Sequence, residues 1–83
     1  MMSTSRDLYE ESEQLAKSLV ERGEADAAQR IRDAIEGGST SSEILFGLRW
    51  EFDRLLDRGA SGDTELAAWI ADLREAVEEA LPD

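Results

Sequence analysis

The chain has 83 residues and sets 20 Asp and Glu against 9 Lys and Arg, a formal charge of −11. A field of that sign disfavours phosphate backbones and anionic membranes, so neither nucleic acid nor a membrane surface is an expected partner, and a basic protein is favoured. With no cysteine and no histidine, the chain has no disulfide framework, thiolate nucleophile, imidazole base or usual transition-metal ligand set, and no cofactor is expected.

One proline, Pro82, and no stretch that alternates apolar and polar residues predict an all-α fold, a single helical domain over 1–83. The first helix is expected from about Ser5 to Arg22. Leu8, Leu15, Ala16, Leu19 and Val20 recur along it at helical spacing, and Gly23 is placed as its stop. The second, from about Glu24 to Glu36, is short, and Ala27, Ala28, Ile31, Ala34 and Ile35 give it a small-residue face suited to close packing. Gly37 and Gly38 end it, and Thr40 with Glu43 three residues on fits a capping box for the third helix, which runs to about Asp57 with Gly59 closing it. The loop Ala60 to Gly62 leads to Asp63, a candidate N-cap for a fourth helix ending near Leu81. Its apolar face carries Leu66, Trp69, Ile70, Leu73, Val77, Ala80 and Leu81, and its polar face Glu65, Asp72, Glu75 and Glu79. Short connections between four helices suggest an up-and-down bundle, or an irregular one because the second helix is short.

At about 100° per residue, Ile44, Leu45, Leu48, Phe52, Leu55 and Leu56 share one side of the third helix. Phe46 and Trp50 point the other way, in a stripe with Asp53 and Asp57. Aromatic side chains beside carboxylates suit a positively charged protein surface, so Glu43, Phe46, Trp50, Asp53 and Asp57 are the candidate partner-binding residues. Two other readings stay open: Phe46 and Trp50 pack as core against the first or second helix, or the stripe joins two copies of the chain as a homodimer. Gly47, costly inside a helix by about 1 kcal/mol, signals a close approach there, by an outside group or by another helix of the same chain. Asp53 and Asp57 are like charges one turn apart, a cost that a basic partner would relieve, and Glu51 is read as pairing with Arg54 and Arg58 on its own helix.

Adjacent acids such as Glu10 with Glu11, or Glu78 with Glu79, diverge by about 100° toward solvent rather than converging in a pocket. Gly37, Gly38 and Ser39 lack the lysine and preceding strand of a phosphate-binding loop. No catalytic or metal-binding residue is therefore expected. The polar residues 1–6 lack the apolar core of a signal peptide, and no run of about 18 apolar residues occurs, so a soluble, cytoplasmic protein is expected.

In size, acidity and helical pattern the chain resembles acyl carrier proteins, and the run from Glu43 to Asp53 looks like the helix that follows their phosphopantetheine site. That family carries its prosthetic group on the serine of an Asp-Ser-Leu motif just upstream. Here the stretch reads Gly37, Gly38, Ser39, with Gly38 at the serine position, so the resemblance implies at most a degenerate carrier. The chain is also similar in class to the small acidic immunity proteins and antitoxins with which bacteria neutralise their own toxins; the colicin immunity proteins have comparable length and helix count. The paired tyrosines of those proteins are missing, Tyr9 being the only tyrosine, so no binding residue carries over. What that resemblance implies is a mode of action, in which an acidic surface with an aromatic anchor covers a basic site.

Overall fold

A computed structural model describes residues 7–59 and 64–81. They form four helices, α1 (Leu8–Glu21), α2 (Ala25–Gly37), α3 (Ser41–Asp57) and α4 (Thr64–Ala80), and no strand. The predicted start of the first helix at Ser5 and the proposed cap Asp63 lie outside the described residues. Asp7 caps α1 by accepting the Glu10 amide at 3.1 Å, and the helix begins one residue later. At α3 the capping box forms in a shifted version: Thr40 Oγ1 accepts the Glu43 amide at 3.2 Å, while Glu43 Oε1 accepts the amide of Ser39, one residue ahead of the cap, at 2.8 Å.

Helix α1 ends in a Schellman turn, with the Glu24 amide reaching the Leu19 carbonyl at 2.8 Å and the Gly23 amide the Val20 carbonyl at 3.0 Å. This geometry places Gly23 at φ +82°, where a side chain would be strained. Gly38 is needed for a different reason. Its φ of −81° is ordinary, but a Cβ there would lie 2.5 Å from Ile44 Cγ1 and 3.0 Å from the Ile44 amide nitrogen.

Each helix packs on its neighbours in the chain, and α4 closes on α1. Partner numbers fall as a helix's own numbers rise: Gly47 meets Ala34, Glu51 pairs with Arg30 at 3.1 Å and Arg58 with Glu24 at 3.5 Å. That ordering makes α2 and α3 antiparallel. Leu8 near the start of α1 lines a groove with Ala76 and Ala80 near the end of α4, as an up-and-down bundle requires. Gly47 is explained by the α2–α3 crossing within the monomer, because a Cβ on it would stand 3.1 Å from Ala34 Cβ.

The core is built from Leu15, Ala16 and Leu19 of α1, Ala27, Ala28 and Ile31 of α2, Leu45, Leu48, Phe52 and Leu55 of α3, and Leu66, Ile70, Leu73 and Val77 of α4. Two expected core positions are corrected. Val20 is 45% exposed, because it sits about 90° from the centre of the α1 face that Ser12, Leu15, Ala16 and Leu19 define. Ala80 is exposed in the last turn of α4. At the centre of the α1 face stands instead Ser12, fully buried, with a hydroxyl that has no hydrogen-bond partner.

A buried hydroxyl without a partner destabilises. Ser12→Ala is therefore expected to raise stability by about 1 kcal/mol, seen as a higher urea midpoint at unchanged slope. Gly38→Ala is expected to lower it by about 1–3 kcal/mol, since Ile44 backbone atoms must move to admit the methyl group.

Candidate functional site

Helix α3 has one face to bury, and Leu48 and Phe52, both with no exposed surface, define it. Phe46 and Trp50 lie on the opposite side and remain 53% and 63% exposed. They are too open to be core, so the reading in which they pack against the first or second helix is set aside. Because α3 packs between α2 and α4, the two rings stand on an outer edge of the bundle, one turn apart, and more than half of each is open among the described residues.

The acids of the stripe behave differently from one another. Glu43 is exposed at the start of α3, its carboxylate engaged on the Ser39 amide. Asp53 is half-buried and forms an ion pair with Arg74 of α4, whose other guanidinium nitrogen reaches Glu78 at 3.4 Å. The hydrogen bond from Arg74 to Asp53, and then the charge of that carboxylate, hold the guanidinium above its ordinary pKa. Asp57, two turns beyond Trp50, is exposed. With Asp53, Leu56, Ala71, Arg74 and Glu75 it lines an open groove of about 660 Å³ between α3 and α4. Among the described residues no three carboxylates converge where a metal ion could sit, and no helix is long and apolar enough to cross a membrane.

The expected relief of Asp53 and Asp57 by an outside cation is corrected, because Arg74 already neutralises Asp53 within the monomer. Glu51 and Arg58, read as charges on one helix, pair instead across the seam with Arg30 and Glu24 of the α2 segment. Antiparallel packing brings these opposite charges together on the flank of α3 that faces α2. The sequence marks Arg74 as a lone base but gives it no partner, and the structure supplies Asp53. From Gly59 onward it is the one base among seven acids, a local pattern that does not show which carboxylate of another helix it meets.

No side chain lines the carrier-type position. Gly38 has no room for a Cβ beside Ile44, so a serine could not stand there without moving the start of α3.

If Trp50 makes no intrachain core contact, Trp50→Ala should change stability by no more than about 0.5 kcal/mol, whereas Phe52→Ala should cost about 3–5 kcal/mol. Thermal or urea unfolding of the two variants side by side checks this. Comparisons with protein-family models, with curated proteins and with solved structures each returned no match.

Proposed function

We propose that the chain is a non-enzymatic, acidic protein-binding module that neutralises a basic protein partner in the cytoplasm, in the manner of an immunity protein or antitoxin. The observation that carries this reading is the exposed pair Phe46 and Trp50, on a rigid helix, in a chain of net charge −11. Large rings at the centre of a patch supply most of the binding energy in protein interfaces, and surrounding charge speeds encounter and selects the partner. Asp57 and Glu43 are exposed on the same stripe and supply negative charge on either side of the rings. Asp53 contributes less, since Arg74 covers it. Nucleic acid and membranes are not partners in this reading, and no cofactor takes part.

The test is capture from the native cell with wild type and Trp50→Ala in parallel, followed by titration of the purified captured protein. A basic polypeptide is expected, bound at least about 30-fold more weakly by Trp50→Ala, as for a hot spot of 2 kcal/mol or more. Its affinity should fall as salt rises. A neutral or acidic partner, or equal binding by the variant, overturns the reading.

A further inference from the structure

We infer that the Phe46–Trp50 stripe is self-complementary, and that a second copy of this chain covers it in a weak antiparallel dimer that must open before any other partner docks. The inference rests on the docking role proposed above and adds its regulation.

The argument is one of register. Measured from Trp50 around the axis of α3, Phe46 lies about 40° to one side, while Glu43 and Arg54 lie about 20° and 40° to the other. Let two copies of α3 face each other, antiparallel, about a two-fold axis level with Leu48. Phe46 of each copy then meets Trp50 of the other, so that four rings form one cluster. The same operation brings Glu43 of each copy within one residue of the level of Arg54 of the other, on the same flank of the interface, and both side chains are exposed in the monomer. Asp57 falls level with Ser39, just ahead of the opposite α3 and near the positive end of its dipole. Asp53 falls level with Glu43 of the second copy, and that like-charge approach is relieved by Arg74, which already holds Asp53. One register thus satisfies the rings and the exposed charges together.

Such a dimer is weak for two reasons. The exposed parts of the rings amount to about 250 Å² per copy, well below the roughly 800 Å² per partner of a standard interface. In addition, each copy carries a charge of −11, and the long-range repulsion fades only as salt screens it. Raising salt therefore tightens the dimer while it loosens a complex with a basic partner, so ionic strength shifts the stripe from one occupant to the other.

Sedimentation of the full chain tests this at concentrations up to about 1 mM and at salt from about 0.05 to 1 M. Wild type should shift from monomer to dimer with concentration, more readily at high salt. Trp50→Ala should weaken the dimer at least about tenfold, because the change enters the interface twice. Glu43→Arg and Arg54→Glu should each be monomeric alone, yet form a one-to-one heterodimer when mixed, since each then offers the charges that the other lacks. Circular dichroism of each variant separates loss of association from loss of fold, and Arg54→Glu leaves the α3 cap intact if Glu43→Arg loosens it. A chain that stays monomeric throughout, or a dimer indifferent to Trp50 and to the charge exchange, overturns the inference. A monomer that still binds its basic partner through Trp50 overturns the dimer alone; a dimer whose partner binding ignores Trp50 overturns the docking role alone.

Discussion

The whole arrangement depends on α3 burying a single face. Phe52 and Leu48 are fully enclosed by the bundle, and a helix of 3.6 residues per turn cannot turn Phe46 and Trp50 inward without turning those two out. Burial of a large apolar side chain contributes about 1.5–3 kcal/mol. The orientation is further locked by the α2–α3 crossing, where Gly47 and Ala34 let the helices approach closely. The exposed rings are thus a consequence of core packing, and the helix that carries them is held by the same contacts.

A chain of 83 residues with no cysteine to cross-link it has little core to set against misfit. The ends of its helices show how local geometry makes up part of the deficit. Thr40 and Glu43 satisfy amides at the start of α3, Asp7 does so at α1, and the turn at Gly23 satisfies carbonyls at the end of α1. The short connections from α1 to α2 and from α2 to α3 hold successive helices antiparallel. Against that economy Ser12 stands out, since its buried and unpartnered hydroxyl sits in the middle of the α1 packing face. Nothing in the structure explains why serine is retained there.

Charge acts here on two scales. Across the seams, Glu13 pairs with Arg32 at 2.9 Å, Glu51 with Arg30, Glu24 with Arg58 and Asp53 with Arg74. Partly exposed pairs of this kind contribute about 0–1 kcal/mol each, so they favour one register of packing more than they add stability. These pairs engage four arginines, and the excess of 20 acids over 9 bases gives the molecule its long-range field. In the proposed docking role, the field governs encounter with other molecules, whereas rings and a few local charges govern contact at α3. The two can act in opposite directions, and salt changes the balance between them.

Much of the fold was legible in the sequence by itself. Apolar residues at helical spacing, the glycines at 23, 37, 38 and 59 and the Thr40–Glu43 box marked four helices to within a few residues, because capping and periodicity are local properties of the chain. The outward direction of Phe46 and Trp50 relative to Phe52 was legible too, as it follows from angle alone. Only the tertiary structure decided what lies beyond that face: whether another helix covers the rings, that Ala34 is the group approaching Gly47, that Arg74 takes Asp53, and that Val20 is left outside while Ser12 is enclosed. A one-dimensional pattern gives the direction of each side chain from its own axis. Which neighbour stands in that direction is set by how four axes pack around a shared core.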